Sequence, residues 1–363
     1  MGSPDGTGQF RGELLRLGRQ ARRMTQKDLA NVSGVTQAFV SMVEEDIRIP
    51  GPEQVIVFAN ALRFPPSFFS QPDPVIGTGV GEIFHRRRKS IPGKDLERIH
   101  AWMNVTTFAV RRLLRAVDWP PIDLPVWSLG VDVGSEEDAA EMLRAKWYVP
   151  NGPVRSVSAQ LDRAGVLTIP TPFGTAEMDA IGQWPSDLPP VLFVNIDTPQ
   201  DRLRFTLMHE IGHLVLHQRS ALTTVSEEIE VEANRFASAF LMPKAEIKPY
   251  LRGLDLAKLG SLKRHWRVSM AALLMRAKQL GTISPTEERA LWVEIGRNGW
   301  RKREPEQLDV IGEELGHRYQ ELLRLHRNDL GYSEQVLGSV IHLYEADVRE
   351  RILAPEPGLR LVI

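Results

Sequence analysis

The sequence predicts a multidomain, mainly α-helical protein with one smaller segment of mixed helix and strand. The chain has 363 residues, more than a single hydrophobic core usually covers. Helical periodicity runs through most of it, whereas short apolar, strand-like runs occur in one stretch. Proline-rich breaks separate these stretches. We therefore expect several domains, of which one contains a small sheet.

The breaks divide the chain into four predicted segments. Residues 1–75 are compact and helical, and residues 76–134 form a basic helical connector with the run Arg86–Lys89. Residues 135–285 are the mixed segment, and residues 286–363 are a charged, helical C-terminal region. The basic run could bind DNA or an acidic partner, but a charge run is at least as often a solvated helix face.

Composition limits the classes of function. The net charge is −1, so any nucleic-acid binding has to come from a local basic patch. The chain has no cysteine, which excludes disulfides, thiolate metal sites and cysteine nucleophiles. No run approaches the roughly 18 apolar residues of a membrane span, and the first residues lack a signal-peptide pattern. We expect a cytoplasmic protein that does not associate with membranes.

The first segment contains two short helices joined by a tight turn. Thr25 can cap the first helix and Thr36 the second, while Gly34 can supply the positive φ of the turn. The inner face of the pair would bury four apolar side chains: Leu29, Val35, Val40 and Val43. This arrangement is typical of a helix-turn-helix.

The outer face of the second helix carries residue types suited to the major groove of double-stranded DNA. Gln37 could pair with adenine, and Ala38 or Phe39 could contact a thymine methyl group. The predicted outer face and its rim comprise Thr36, Gln37, Ala38, Phe39, Ser41 and Met42.

The mixed segment begins with a predicted helix from Glu136 to Trp147. Three apolar, strand-like runs follow at residues 166–169, 178–181 and 191–194. Helical patterns then cover residues 201–217 and 227–241, with two more helices before Gly281.

The helix predicted at 201–217 carries the pattern His-Glu-x-x-His at His209, Glu210 and His213. Residues four apart lie on one face of a helix, so both imidazoles can bind one Zn²⁺. Glu210 would lie beside the ion, where a carboxylate can act as general base. We expect about one zinc ion per chain, held in a catalytic site of the usual three-ligand kind.

The third ligand has three candidates. His217 lies about 12 Å along the helix from His209 and is rotated by about 80°, so we interpret it as a helix-end or surface histidine. Glu230 opens the next helix, and its carboxylate would complete a site with one open position. Glu232 is its rival. Glu230 is preferred because Asn234, one turn later on the same face, could hydrogen-bond a ligand histidine.

The run HEIGHLVLH, followed by ExEANRFASAFLMP, resembles the ImmA/IrrE family of bacterial zinc peptidases over about residues 151–281. The resemblance implies a zincin-like α+β peptidase domain with a small sheet and a helical C-terminal extension. It implies His209, His213 and Glu230 as zinc ligands, Glu210 as base, and a repressor-type protein substrate in a stress response. A similar run, EELGH at residues 313–317, lacks the first histidine, and we predict an ordinary helix there.

Residues 9–69 resemble the five-helix Cro/CI-like (XRE) repressor domains, which usually bind DNA as homodimers. The resemblance places Gln37, Ala38 and Met42 at base-facing positions, and it places three residues near phosphates: Gln26, Lys27 and Thr36. Glu45-Asp46 departs from the family, which usually has an Asn-Gly-like turn there, and this argues for weaker phosphate affinity.

Together these features predict a DNA-binding transcriptional regulator with a built-in zinc endopeptidase, which cleaves a repressor-type protein partner or itself. Two alternatives stay open. The metal domain could sense a ligand or stress without peptidase turnover. The protein could instead be a protease that uses its N-terminal domain only to dock a partner.

Overall fold

The computed structural model describes residues 8–76, 91–218, 227–301, 303–305, 314 and 316–353. The chain forms two compact units. The first unit comprises Met1–Gly79, Arg86–Trp119 and Gln320–Ile363. The second comprises Val80–His85 and Pro120–Tyr319. The four-segment division drawn from composition stays a prediction.

The first unit starts with four α-helices and a 3-10 helix: α1 (Gly12–Ala21), α2 (Gln26–Ser33), α3 (Gln37–Glu44), α4 (Pro52–Leu62) and the 3-10 helix Pro66–Ser70. The Thr25 hydroxyl accepts a hydrogen bond from the Asp28 amide at the start of α2, and Thr36 accepts one from the Phe39 amide at the start of α3. Gly34 has a φ of 66° between the two helices. The predicted caps and turn glycine are therefore confirmed.

A long helix, α5 (Gly93–Leu114), packs against α1 in the same unit. The indole N–H of Trp102 on α5 donates to the Ala21 carbonyl at 3.0 Å, which ties this helix to the end of α1. Arg111 and Arg112 near the end of α5 both pair with the buried carboxylate of Asp73. The first unit thus extends beyond the helix-turn-helix segment.

The second unit is built around a small sheet with helices on its faces. Its elements are α6 (Glu136–Lys146), α7 (Val157–Arg163), β1 (Leu167–Thr171), β2 (Ala180–Gln183), β3 (Val191–Asn195), α8 (Gln200–Leu216), α9 (Glu227–Leu241), α10 (Lys244–Ile247), a 3-10 helix (Lys248–Tyr250), α11 (Leu256–Trp266), α12 (Met270–Gln279) and α13 (Pro285–Arg297). Each predicted strand corresponds to one observed strand, shifted by at most two residues.

The strand order is β1-β3-β2, with β1 parallel to β3 and β2 antiparallel to it. β3 is buried along its whole length, as its continuous apolar run leads one to expect for a central strand. α8 follows β3 and contacts β2, while α9 packs against both α8 and α6. This layering brings Gly182 of β2 and the start of α9 to the middle of α8.

α8 and α9 approach each other closely at Gly212. A Cβ atom at this position would lie 3.1 Å from the Phe236 ring and 3.2 Å from the Cα atom of Ala233. Glycine on one helix and alanine on the other therefore set the distance between the two helices. The residues just before Ala233 on α9 consequently lie over the histidines of α8.

The predicted helix at residues 313–317 is wrong for the residues that the structure describes. Glu314, Gly316 and His317, which we call the Glu314 strap, are not helical, and the next helix begins at Arg318. The Glu314 carboxylate accepts hydrogen bonds from the Val157 and Ser158 amides at 2.9 and 3.0 Å. These distant partners outweigh the local helical tendency of the run.

Further contacts hold the Glu314 strap against its neighbours. Glu314 also pairs with Arg204 of α8, whose side chain is completely buried. The His317 amide donates to Asp162 on α7 at 2.8 Å. Gly316 fits closely, since a Cβ atom there would come within 2.0 Å of the Thr168 hydroxyl on β1. The strap therefore joins α7, β1 and α8.

The chain returns to the first unit within α14 (Arg318–Arg324) and ends its described part with a π-helix (Leu325–Asp329), α15 (Glu334–Ile341), α16 (Glu345–Asp347) and a second π-helix (Val348–Ile352). α15 packs against α5, and His342 Nδ1 lies 2.8 Å from the Ser67 hydroxyl. The Arg22 guanidinium binds Asp347 and lies over the ring of Phe64. No helix in the described ranges is long and apolar enough to cross a bilayer.

Candidate functional site

Three side chains with metal-binding atoms converge between α8 and α9. His209 and His213 project from one face of α8, and their Nε2 atoms lie 3.0 Å apart. Glu230 reaches them from the first turn of α9, with its two carboxylate oxygens 3.6 Å from His209 Nε2 and 3.5 Å from His213 Nε2. One ligand atom from each residue lies within 4.8 Å of the others.

These distances suit a zinc ion. Ligand atoms about 2.0–2.1 Å from a tetrahedral Zn²⁺ lie about 3.4 Å from one another. The measured separations of 3.0, 3.5 and 3.6 Å scatter around that value. Two imidazoles and one carboxylate are also the donor set of many catalytic zinc sites. The residues present therefore fit the ion that the sequence predicts.

His213 is buried, and its surroundings favour the neutral imidazole that a metal requires. The pKa of His213 is lowered well below its ordinary value. Burial is the larger cause, and the neighbouring His217 is the smaller one. The ring is consequently uncharged at neutral pH, and one of its nitrogens carries a lone pair.

The other ligand histidine is oriented by Asn234 on α9. The Asn234 side-chain amide donates to the Glu230 carbonyl at 2.7 Å, which leaves its oxygen to face His209 Nδ1 at 3.2 Å. His209 Nδ1 must then carry the proton, so the Nε2 lone pair points toward the cluster of ligand atoms. Asn234 therefore lies in contact with His209, and its supporting role at a metal site stays a prediction.

Glu210 is buried beside the cluster and is fixed by the backbone of β2. Its Oε2 accepts a hydrogen bond from the Gly182 amide at 2.7 Å. A Cβ atom at Gly182 would lie 3.2 Å from that oxygen. The absence of a side chain at Gly182 therefore leaves room for the carboxylate beside the strand. Because the Gly182 amide donates to α8, it points away from β3.

The structure does not bring Glu232 into the cluster of ligand atoms. Its Oε2 lies 2.8 Å from His217 Nε2, and His217 Nδ1 lies 3.0 Å from His213 Nδ1. His217 is the C-cap of α8, as a helix-end histidine should be, but it is 3% exposed and therefore not a surface residue. The repeated four-residue spacing from His209 through His213 to His217 was the available signal for this contact.

The predicted DNA-facing residues of α3 fall into two groups. Gln37 and Ala38 are exposed, as is Thr36, whose hydroxyl caps the helix. Ser41 and Met42 are half-buried.

Phe39, also predicted for the outer face, packs against neighbouring side chains of the domain. It is half-buried, stacks on Phe58 with ring centroids 6.3 Å apart, and lies under the Arg48 guanidinium at 5.1 Å. Arg48 is an exposed cation beside α3 that sequence reasoning missed, because it lies in the loop after the helix.

The residues predicted to contact phosphates differ in exposure and in hydrogen bonding. Lys27 is exposed, whereas the Gln26 side-chain amide donates to the buried carboxylate of Glu44 at 2.9 Å. Asp46, one of the two residues that depart from the family pattern, accepts a hydrogen bond from the Gly12 amide at 2.6 Å. Its carboxylate thus stabilises the start of α1. The basic run Arg86–Lys89 lies outside the described residues.

Comparison with known families agrees with both resemblances. Residues 161–278 match a peptidase family described as an IrrE N-terminal-like domain, and residues 15–69 match a helix-turn-helix family. No curated protein is detectably similar to the chain. One chain thus carries a helix-turn-helix domain followed by a metallopeptidase-type domain, which confirms the predicted multidomain, mainly α fold. The cluster of His209, His213 and Glu230 lies inside the second match.

Proposed function

We propose that this protein is a DNA-binding transcriptional regulator with a zinc-dependent endopeptidase, in which His209, His213 and Glu230 hold the ion. The convergence of their ligand atoms within 4.8 Å carries the proposal. Catalytic zinc sites have three protein ligands and one open position, and the three residues supply such a set.

Bound zinc would polarise the scissile carbonyl of a peptide and activate the attacking water. Glu210 is the general base that removes a proton from that water, and the same carboxylate then delivers a proton to the leaving amine. The hydrogen bond from the Gly182 amide holds the Glu210 carboxylate in position for both transfers. Asn234 orients the ligand His209 through its side-chain oxygen.

The substrate in this proposal is a polypeptide. Within the part of the chain that the structure describes, β2 pairs with β3 on one side, and its other side faces Glu210. An extended peptide can add to such a strand edge through main-chain hydrogen bonds. We infer that the natural substrate is a repressor-type partner, or this chain itself, because the catalytic domain is joined to a repressor-like domain.

The DNA-binding half of the proposal rests on α3. Its exposed Gln37 and Ala38 are suited to base edges, and exposed Lys27 is suited to a phosphate. A homodimer on an inverted repeat follows from the repressor resemblance. The proposal joins both halves. The peptidase domain cleaves a repressor-type partner or this chain itself, and this cleavage changes which genes are repressed through the DNA-binding domain.

Metal analysis and one isosteric variant test the peptidase. The wild type should contain about one zinc ion per chain, and His209→Ala or His213→Ala should lose it because too few ligands remain. Glu210→Gln should keep the metal yet lower peptide cleavage by about 10²- to 10⁴-fold, since only the base is removed. Equal zinc retention by the His209→Ala protein would disprove the site.

Regulation in cells separates this proposal from its two alternatives. A Glu210→Gln strain should fail in any derepression that depends on cleavage. Normal derepression in that strain would favour a ligand or stress sensor without turnover. If the full-length protein bound no DNA sequence selectively, a protease that docks a partner through its N-terminal domain would be favoured instead.

A further inference from the structure

We propose that His217 and Glu232 are positioning residues of the metal centre, and that they act on the ion through His213. They form a relay in which Glu232 binds His217 and His217 binds His213. This inference rests on the proposed function, because it requires His213 to be a metal ligand.

The first step of the relay is the contact between the two histidines. His213 turns its Nε2 toward His209 and Glu230, and turns its Nδ1 toward His217 Nδ1 at 3.0 Å. Two ring nitrogens at this distance share one hydrogen, so one donates and the other accepts. If His213 Nε2 binds a metal, it needs a lone pair there, and His213 Nδ1 must be the donor.

The second step fixes the proton arrangement from the other end. With its Nδ1 accepting, a neutral His217 carries its proton on Nε2, where the Glu232 carboxylate accepts it at 2.8 Å. The opposite arrangement would place a lone pair of His217 against a carboxylate oxygen and a proton of His213 Nε2 against the other ligands. Glu232 therefore selects the tautomer of His213 that can bind a metal.

Burial makes this selection effective. The His217 side chain is 3% exposed, and the Glu232 side chain is 29% exposed. Water cannot easily replace the hydrogen bond between the two imidazole rings. In a poorly solvated region, successive hydrogen bonds polarise one another and become stronger. A carboxylate at the end of such a chain raises the basicity of a ligand histidine.

The two ligand histidines are consequently supported in different ways. His209 is backed by the neutral amide of Asn234, whereas His213 is backed through His217 by a negative charge. α9 supplies the ligand Glu230 and both supporting residues, Glu232 and Asn234. The start of α9 therefore determines the geometry of all three ligands.

Zinc affinity of the full-length protein tests the relay. His217→Phe removes the link while keeping a ring of similar size, and Glu232→Gln removes the charge at constant volume. Each should weaken zinc binding by about 10- to 100-fold in competition with a chromogenic chelator. Glu228→Gln is the matched control, because Glu228 is an exposed acid one turn before Glu232 on α9, and the zinc affinity of this variant should equal that of the wild type.

The double variant His217→Phe/Glu232→Gln distinguishes a relay from two separate effects. If Glu232 acts only through His217, the double variant should bind zinc no more weakly than His217→Phe alone. The visible spectrum of the Co²⁺-substituted protein gives a second readout. It should keep its tetrahedral intensity in both single variants, with shifted bands, and should be unchanged in Glu228→Gln.

The outcomes separate the relay from the proposed function. A wild type that takes up no zinc would overturn both. If the wild type binds zinc and His209→Ala does not, then wild-type affinity in Glu232→Gln, or additive losses in the double variant, would overturn the relay alone. Complete loss of zinc in Glu232→Gln, equal to that in Glu230→Gln, would make Glu232 a ligand and also overturn it. If His217→Phe does not fold, the partly exposed Glu232→Gln decides.

Discussion

Glu210 and His213 lie one turn apart on α8 and are both buried, but they are held by different kinds of partner. Glu210 accepts a hydrogen bond from a main-chain amide of β2, and His213 contacts the side chain of His217. A main-chain donor survives almost every side-chain substitution, whereas a side-chain partner does not. The base should therefore tolerate changes in its surroundings better than the ligand does.

The sequence predicted the proximity of residues that are brought together by their spacing along one helix. The four-residue interval between His209 and His213 places them together whatever surrounds them. It could not predict that Glu232 contacts His217, because that contact depends on how α9 is rotated against α8. Phe39 illustrates the same limit, since its partners Phe58 and Arg48 come from a different helix and a loop.

At the predicted DNA-facing surface, Gln37 should contribute to sequence-selective binding and Lys27 to binding that does not depend on sequence. Gln37→Ala should cost about 1–3 kcal/mol and relax the preference at one base pair, because its amide would read a base edge. Lys27→Ala should weaken binding to all sequences alike and reduce the salt dependence, because it would contact a phosphate. Fluorescence anisotropy on DNA selected by the full-length protein measures both effects.

Glu210→Gln is the control for that experiment, since its side chain lies in the second unit. Its DNA affinity should match that of the wild type. Uniform loss across all sequences for Gln37→Ala would show that Gln37 does not read a base.

Among the elements, the crossing of α8 and α9 at Gly212 connects packing to the metal centre. Gly212→Ala should destabilise the protein by about 1–3 kcal/mol, because the new methyl group meets the main chain of Ala233 and cannot be relieved by a side-chain rotation. α9 then has to move away, and Glu230 moves with it. Zinc affinity should fall together with the melting temperature of the metal-free protein.

Gly93→Ala is the matched glycine substitution. Gly93 starts α5, and a Cβ atom there would have nothing within 4 Å. Its replacement should leave zinc affinity unchanged and should not lower stability. Wild-type zinc affinity in Gly212→Ala would contradict the idea that helix separation places Glu230.

The elements of the second unit were predicted better than their arrangement. Local patterns located the three strands and the helices α8 and α9, because periodicity and apolar runs are properties of short stretches. The order β1-β3-β2 and the antiparallel direction of β2 depend on non-local pairing, which those patterns do not contain. The EELGH run failed for a related reason, since tertiary hydrogen bonds hold Glu314 outside a helix.

For the molecule as a whole, the Glu314 strap contributes a buried charge to the helix that carries the candidate active site. Glu314→Ala should destabilise the second unit by about 3–5 kcal/mol, because it leaves the fully buried Arg204 without its counter-charge. Urea unfolding followed by tryptophan fluorescence measures the loss.

A double variant and an exposed ion pair complete this test. Arg204→Met/Glu314→Leu should recover part of the stability, since it removes the unpaired buried charge but leaves the Val157 and Ser158 amides without the Glu314 acceptor. Lys278→Ala breaks the partly exposed pair of Lys278 with Glu288 and should cost less than about 1 kcal/mol. An equally small loss in Glu314→Ala would mean that Arg204 finds another partner.

The strap also restricts how this protein can be recombined with its relatives. The IrrE-like match ends at residue 278, but Arg204 inside it is neutralised by Glu314, which lies well beyond that end. A chimera that exchanged only residues 161–278 would inherit a buried guanidinium from one parent and its carboxylate from the other. The inheritable unit of this peptidase-type domain is therefore longer than its family signature, and crossovers that keep Arg204 and Glu314 from the same parent should be the ones that yield folded chimeras.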